Sequence, residues 1–426
     1  MKKLVALLLC LVMIVPTTLA LADDNVTITL WTYPIGSWGN DETVQDIIAD
    51  FNAQYPNITV KVEYLDYTSG DDTVTAAIEA GTTPDIIMEG PERLVTNWGA
   101  AGKMLDLSDL WTDEALADIA ATSEAVVAAC KSNDGTYYEY PLCMTTHCMT
   151  INLQYFEAAD ALQYIDQENH TWTTENFVNA CRALTNAGYI SGVVYCGGQG
   201  GDQGTRALAM NLYSASFTNA DHTAYTMDSE AGIKGITLLQ DMVNEGILTA
   251  DPAIVASDEI ALFCNGTTSM SFCWNASAAV SNKASMAENV TSFPMAFPTD
   301  EGNPALCGGI WGFGCFNNGD DARAEAAKTF IKFVCDDATE GPKSVYATGF
   351  FPVRASFGDV YAGTEKASNA DFAIFMPYLG DYYNVTAGWA TQRTEWWNML
   401  QRVFAGGDVA TEVGTYVTNS NASITK

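Results

Sequence analysis

Three charged side chains follow directly after a short apolar segment of the chain. Glu89, Glu92 and Arg93 come after residues 85–88, whose pattern indicates a buried strand. Two carboxylates and a guanidinium group at the end of a strand accept and donate several hydrogen bonds, so this turn is a candidate site for a polar or cationic solute. The carboxylates disfavour phosphate and sulfate, because they repel anions. A solvated charged loop is the alternative interpretation.

Aromatic side chains that could stack against a ligand lie in loops and beside glycines. Tyr33 and Trp38 lie in the loop after the first predicted strand, where ligands meet the carboxyl ends of parallel strands. Trp311 has glycines on both sides, which leave room for its ring to project. The adjacent Trp396 and Trp397 would point about 100° apart on a helix, so we expect one of them outside the core. Packing in the core is the alternative for each residue.

Composition and motifs argue against several classes of protein. The 426 residues carry 19 Lys+Arg against 52 Asp+Glu, a formal charge of −33, which disfavours nucleic acid and anionic membranes as partners. The glycine-rich run 197–204 lacks both the GxGxxG spacing and the P-loop ending, so it predicts no nucleotide cofactor. With three histidines and no CxxC pair, we expect no metal site. No GxSxG or HExxH motif occurs, so we expect no catalytic residues and no enzyme activity.

The first 22 residues have the pattern of a secretory signal peptide. Two lysines precede an apolar run over residues 4–15, and small residues occupy positions 20 and 22. We therefore expect Sec-dependent export to the periplasm or the cell surface, with cleavage after Ala22. We expect no lipid anchor, because Leu9 before Cys10 is too large for a lipidation motif.

Ten cysteines remain after the predicted cleavage site, and export permits disulfides. Three pairs are close enough in sequence to be bridge candidates: Cys143 and Cys148, Cys264 and Cys273, and Cys307 and Cys315. Buried free thiols are an equally acceptable interpretation, because a chain of this length forms a core without disulfides.

Hydrophobic periodicity predicts an α/β fold. Val26, Ile28 and Leu30 alternate with polar residues as in a strand, residues 44–51 have an apolar helical stripe, and residues 58–64 alternate again. A strand, helix and strand in this order close as a right-handed crossover in a parallel sheet. Further predicted helices cover residues 75–80, 94–101, 174–186, 206–213, 229–245, 325–335 and 396–405.

Short patterns that follow one another along the chain resemble those of a known family. Residues 76–87 are the most specific match, to a segment that ends in Pro-Asp-Ile. Weaker matches occur at residues 31–33, 56–60, 99–107, 134–141, 263–270, 308–312 and 351–354. Thr267 departs from the family pattern, which commonly has Lys there. Together these patterns resemble the extracellular solute-binding proteins of ABC importers, in the branch that contains the maltose-binding protein.

The resemblance implies a type II periplasmic-binding-protein fold of two lobes joined by a three-stranded hinge. Each lobe would be a mainly parallel sheet flanked by helices, and ligand would be trapped as the lobes close. Lobe one would hold residues 23–145 and 305–355, and lobe two residues 146–304 and 356–426. The chain would cross the hinge near residues 144–149, near residues 297–304 and just after Arg354.

The resemblance also implies a binding protein, without a cofactor, that delivers a neutral sugar or oligosaccharide to a membrane permease. A sugar has apolar faces and a rim of hydroxyls, so its site needs aromatic platforms and planar polar groups. We expect such a protein to be a monomer. A cationic solute such as a polyamine, or a peptide, is the alternative cargo, and a secreted carbohydrate-active enzyme is the alternative class.

Further binding residues follow from the resemblance. The family places a stacking aromatic after the strand 268–273 and another in the last part of the chain, which points to Trp274 and Trp397. Thr146 and His147 lie at the first predicted crossing, although His147 could also be a core histidine. Asp202 could reach the cleft from the glycine-rich loop, and Arg354, like Arg93, is available for ligand hydroxyls. The turn of Glu89, Glu92 and Arg93 corresponds to one that supplies charged groups in this family.

Overall fold

The computed structural model describes residues 25–66, 69–198, 202–300 and 304–424, without the side chain of Asp202. The predicted signal peptide therefore lies outside the described residues. No helix within these ranges is both long and apolar enough to span a bilayer.

Strands and helices alternate along most of the described chain. The strands are β1 (Val26–Thr32), β2 (Ile58–Tyr64), β3 (Ile86–Glu89), β4 (Tyr140–Thr146), β5 (Cys148–Asn152), β6 (Val193–Tyr195), β7 (Thr249–Asp251), β8 (Met270–Trp274), β9 (Ser292–Met295), β10 (Gly308–Cys315) and β11 (Phe351–Pro352). The helices are α1 (Asp41–Gln54), α2 (Gly70–Ala80), α3 (Pro91–Arg93), α4 (Asp113–Thr122), α5 (Glu124–Ala129), α6 (Leu153–Ala158), α7 (Thr174–Asn186), α8 (Asp202–Asn211), α9 (Glu230–Asn244), α10 (Ala256–Cys264), α11 (Ala276–Asn282), α12 (Asp321–Asp336), α13 (Glu340–Thr348), α14 (Trp389–Phe404) and α15 (Val409–Ile424).

The larger sheet has the strand order β11-β4-β10-β3-β1-β2 and forms the centre of what we name lobe one. β1 pairs in parallel with β2, with Val26 opposite Ile58, and also in parallel with β3. This arrangement confirms the predicted α/β class, but β10 is antiparallel to both β3 and β4, and β11 is antiparallel to β4, so the sheet is mixed rather than mainly parallel. Ile28 and Leu30 point into the core, as their alternation predicts, and Phe51 on α1 packs edge-on against Phe330 of α12.

Lobe two is built around two smaller sheets. Its strands are ordered β8-β5-β9 in an antiparallel sheet and β6-β7 in a parallel pair. Helices α7 to α10 lie around them, and α14 and α15 pack against α9. The last two helices therefore extend lobe two rather than lobe one.

Three chain segments lie side by side where the two lobes join. His147 alone separates β4 of lobe one from β5 of lobe two, and its N–H donates to the carbonyl of Cys307 at 2.8 Å. The neighbouring Leu306 accepts from the N–H of Gly380 at 2.9 Å and donates to the carbonyl of Tyr378 at 2.8 Å. These backbone hydrogen bonds form the three-stranded hinge.

We propose that the third crossing of the hinge lies later in the chain than just after Arg354. The hydroxyl of Ser356 donates to Asp118 of α4, Tyr361 donates to the carbonyl of Phe350, and Asn369 donates to the carbonyl of Gly349. Residues 355–369 are thus held on lobe one, and the chain crosses between 370 and 380. The other lobe boundaries stay predictions.

One predicted helix has a different hydrogen-bond pattern from an α-helix. The helix expected at 94–101 is a π-helix over Leu94–Gly99, in which the N–H of Ala100 donates to the carbonyl of Val95.

All ten cysteines from Cys130 to Cys335 are free thiols, and nine of them are buried. The structure thus favours buried thiols over the three candidate bridges.

Candidate functional site

Arg93 is the centre of a buried cluster at the carboxyl end of β3. The strand ends at Glu89, Gly90 turns the chain, and Pro91 begins α3, so Glu89 and Arg93 lie four residues apart on the same side. The Arg93 Nη1 atom is 2.6 Å from Oε1 of Glu89. Burial raises the pKa of the Glu89 carboxyl, and the charge of Arg93 offsets part of that rise. The turn is therefore a buried ion pair rather than a solvated loop.

Asp71, at the start of α2, holds the other edge of the guanidinium group. Nε and Nη2 of Arg93 donate to the two carboxylate oxygens at 2.7 and 2.9 Å, and the Tyr33 hydroxyl donates to Oδ1 at 2.7 Å. Burial would raise the pKa of Asp71, but the hydrogen bonds and charge of Arg93 lower it. Burial and the bond to Asp71 raise the pKa of Tyr33. Asp71 of α2 and Glu89 at the end of β3 thus fix the orientation of Arg93.

Trp389, the first residue of α14, covers the same guanidinium group from lobe two. Cζ of Arg93 lies 5.2 Å from the centroid of the indole ring, and Cζ of Arg393 lies 4.5 Å from it. A cavity of about 270 Å³ lies here between the lobes, just below the usual size range of ligand pockets. Asp71, Glu92, Arg93 and Trp389 contribute to its walls. The cavity offers an aromatic face and charged hydrogen-bonding groups within one space.

A second contact between the lobes lies next to this cavity. The hydroxyl of Tyr382 donates to Oε2 of Glu92 at 3.1 Å, and Oγ1 of Thr96 donates to the carbonyl of Val385 at 2.9 Å. Thr96 also lines a separate cavity of about 590 Å³, together with Tyr138 of lobe one and Tyr382 of lobe two. The space between the lobes therefore has two parts that meet at these hydrogen bonds.

Glu139, just before β4, is fully buried beside this contact. Among the described residues, neither of its carboxylate oxygens has a hydrogen-bond partner. Burial raises the pKa of Glu139 well above its ordinary value, and the charges of Glu92 and Glu89 raise it further. Burial, Glu92 and Glu139 in turn raise the pKa of Tyr382. Glu139 is therefore a buried carboxyl group whose charged form is disfavoured.

The structure brings together Tyr33, Glu89, Glu92 and Arg93 of the predicted site, but it places Trp38 and Arg354 in the packing of lobe one. Trp38 is fully buried against Phe313, and its Nε1 donates to the carbonyl of Ser344. Arg354 pairs with Asp336 and Asp118 and donates to the carbonyl of Cys335. Both side chains are occupied by structural partners, so we leave them out of the proposed site.

Three other predicted aromatic residues do not line the cavity beside Arg93. Trp274 is fully buried against Phe263, and its Nε1 has no hydrogen-bond partner among the described residues. Trp311 is half-buried and stacks on Phe350 at 4.7 Å between ring centroids. Trp397 is half-buried on α14, whereas its neighbour Trp396 is the buried member of the pair.

The remaining predicted side chains lie at the hinge or outside the part of the chain that the structure describes. Thr146 is buried at the end of β4, and its hydroxyl has no hydrogen-bond partner among the described residues. His147 is half-buried between β4 and β5, consistent with a place in the hinge. The side chain of Asp202 lies outside the described residues, although its backbone begins α8.

Several residues of the site were absent from the sequence prediction. Asp71, Glu139, Tyr382, Trp389 and Arg393 are outside the set of residues predicted from the sequence. Asp71 follows β2, and the rule that ligands meet the carboxyl ends of parallel strands points to it as well as to Tyr33. Glu139 lies between Tyr138 and Tyr140, and because an unpaired glutamate is rarely buried, no sequence pattern singles it out.

The pattern of the family described as bacterial extracellular solute-binding protein matches residues 46–375, which is most of the chain. The chain belongs to this family. The family consists of extracellular solute-binding proteins, so this chain is an exported member of a family of binding proteins. No curated protein sequence matches it at a significant level.

Solved structures of the same fold cover nearly the whole solute-binding protein. The sugar-binding protein MalE from Xanthomonas citri is 14% identical, with a TM-score of 0.75 over 94% of this chain and 97% of its own. An ABC substrate-binding protein from Listeria monocytogenes, solved with cycloalternan, is 17% identical, with a TM-score of 0.70 over 94% and 100%. The GacH receptor of Streptomyces glaucescens, solved with acarbose, is 16% identical, with a TM-score of 0.70 over 93% and 97%. These similarities establish the two-lobed fold.

Proposed function

We propose that this protein is the substrate-binding component of an ABC importer and captures a sugar or oligosaccharide in the cleft between its lobes. After cleavage behind Ala22 it acts as a monomer outside the cytoplasm and delivers the cargo to a membrane permease. It performs no reaction on the cargo. The proteins of similar fold include some solved with cycloalternan and acarbose, which is consistent with a carbohydrate cargo.

The observation that carries the proposal is the contact between Arg93 and Trp389 across the cavity. An indole face suits the apolar side of a sugar ring, and the guanidinium and carboxylate groups of Arg93 and Asp71 suit its hydroxyls. The indole and the charged groups come from different lobes. Both contribute to binding only when the lobes close, so closure would be coupled to capture.

Isothermal titration of the mature protein with neutral oligosaccharides tests the proposal. We expect one sugar per chain, and at least tenfold weaker binding after Trp389→Ala, because stacking of an aromatic ring is lost. Trp31→Ala is the matched control, since Trp31 is half-buried and lines a different cavity on lobe one. Equal affinity of the two variants would contradict the proposed site, and the absence of binding to any carbohydrate would contradict the proposed cargo.

A further inference from the structure

The two cavities between the lobes, of about 270 and 590 Å³, share part of their walls. Thr96 of lobe one and Ala387 of lobe two line both of them. At this junction Oγ1 of Thr96 donates to the carbonyl of Val385 at 2.9 Å. The hydroxyl of Tyr382, which lines the larger cavity, donates at 3.1 Å to Glu92, which lines the smaller one. The cavities therefore adjoin, and one bound molecule can extend from one into the other.

Apolar side chains form most of the wall of the larger cavity. Ala125, Ala128 and Ala129 of α5 line it from lobe one. Val385 and Ile424 line it from lobe two. The smaller cavity, in contrast, has two carboxylates and a guanidinium group on its walls. An apolar wall favours contact with an apolar group, because that contact removes the surfaces of both from water.

One tyrosine from each lobe also lines the larger cavity. The ring of Tyr138 lies directly against Gly99 of the π-helix, and a Cβ atom at position 99 would be 2.6 Å from Cδ2 of Tyr138. Tyr382 contributes a buried ring from lobe two. Aromatic rings prefer to pack against other aromatic rings, in stacked or edge-to-face arrangements. The larger cavity thus suits an aromatic group.

Several polar side chains of the larger cavity are occupied by one another. The hydroxyl of Ser132 donates to Asp134, and Nε2 of His222 is 3.0 Å from Oδ1 of Asp381. Lys131 also lines the cavity, but its side chain is exposed to solvent. A sugar ring needs several donors and acceptors for its hydroxyls. A second sugar ring therefore fits this cavity less well than an apolar group does.

We propose that the cargo is a glycoside whose sugar binds in the smaller cavity and whose aromatic, apolar aglycone binds in the larger one. This inference rests on the proposed function and specifies its ligand. The glycosidic bond lies at the junction of the cavities, beside Thr96 and Ala387. Both lobes line both cavities, so closure of the lobes encloses the two parts of the molecule together.

Isothermal titration of the mature protein with pairs of glycosides isolates the contribution of the aglycone. The probes are the methyl and phenyl glycosides of glucose, galactose, mannose and xylose in both anomeric forms, so the sugar is the same within each pair. For the accepted sugar, we expect the phenyl glycoside to bind about tenfold or more tightly, because burial of the ring removes apolar surface from water. Titrations at several temperatures should give a more negative heat-capacity change for the phenyl glycoside, which is the signature of apolar burial.

Disaccharides test the alternative that a second sugar ring occupies the larger cavity. Cellobiose, maltose and lactose correspond to the phenyl β-glucoside, α-glucoside and β-galactoside, with a glucose ring in place of the phenyl group. We expect each phenyl glycoside that binds to do so more tightly than its disaccharide. The reverse order would overturn the inference.

Matched variants locate the phenyl group on the protein. Ala128→Glu places a carboxylate in the apolar wall, so it should lower the ratio of phenyl to methyl affinity at least threefold. Ala121→Glu on α4 is the control, because Ala121 is equally exposed, does not line this cavity and adds the same charge. It should keep the wild-type ratio. An unchanged ratio in Ala128→Glu would contradict the proposed position of the aglycone.

The outcomes distinguish the inference from the proposed function. Equal affinity for phenyl and methyl glycosides, or binding of oligosaccharides alone, would overturn the aglycone site and leave sugar capture intact. Absence of binding to every glycoside, disaccharide and longer oligosaccharide would overturn both. If Ala128→Glu does not fold, the wild-type affinity ratio and heat-capacity change still decide the question.

Discussion

Replacement of Arg93 by methionine tests whether the buried ion cluster holds the cleft together. Methionine keeps much of the apolar stem and removes the charge, so Glu89 and Asp71 lose their partner. Removing one member of a buried ion pair costs about 3–5 kcal/mol. The Asp71 side chain is 57% exposed, and solvent screens that part of the interaction. We therefore expect Arg93→Met to lower the free energy of unfolding by about 2–4 kcal/mol.

The assay is urea unfolding followed by circular dichroism at pH 7, with the slope of the transition compared between variants. Arg182→Met is the control, because the ion pair of Arg182 with Glu245 is about half exposed on both sides (49% and 50%). It should cost less than about 1 kcal/mol. Adding Glu89→Gln to Arg93→Met should restore part of the lost stability, since the uncompensated carboxylate is removed.

Two results would refute this reasoning. The first is a loss of stability in Arg93→Met no larger than that in Arg182→Met, which would mean that the cluster is effectively solvated. Alternatively, the effects of Arg93→Met and Glu89→Gln could simply add, which would show that the two side chains do not interact.

Three further predictions concern side chains outside the cleft. Burial raises the pKa of Glu259 from 4.5 to about 8. The wild type should therefore lose on the order of 4 kcal/mol of stability as pH rises through this range, whereas Glu259→Gln should not. Urea unfolding at pH 5 and pH 9 measures the difference. Arg354→Met should destabilise lobe one by about 3–5 kcal/mol while leaving sugar affinity unchanged, and a loss of affinity in the folded variant would return Arg354 to the site. A thiol reagent should label ten cysteines in denaturant and at most one, Cys273, in the native protein; rapid native labelling of several thiols would contradict their burial.

Local patterns were enough to predict much of lobe one. The alternation of Val26, Ile28 and Leu30 and the apolar stripe of α1 are repeated over short distances, so they specify a strand and a helix without knowledge of the rest. The turn from Glu89 to Arg93 was found for the same reason, because it directly follows a recognisable buried strand. Its partner Asp71 is 22 residues away in sequence and joins it only through the order of the strands.

Contacts between distant segments account for what the sequence did not reveal. Tryptophan and arginine are common in binding sites, so Trp38 and Arg354 were reasonable candidates. Only their contacts with Phe313 and Asp336 show that they pack inside lobe one. The later third crossing that we propose was not evident from the sequence, because residues 355–369 lack a strong periodic pattern. Their attachment to lobe one depends on hydrogen bonds to α4 and to residues 349–350. Tyr382 and Trp389 gain their roles only from the closure of the lobes.

Hydrogen–deuterium exchange with and without a bound oligosaccharide tests the central claim most directly, because it locates the ligand on the chain. The account predicts that protection on binding is concentrated in residues 89–97 of lobe one and 381–393 of lobe two, which meet at the cavity between Arg93 and Trp389. Protection confined to a single lobe, for example around the cavity of about 670 Å³ beside Trp31 and Lys103, would contradict it.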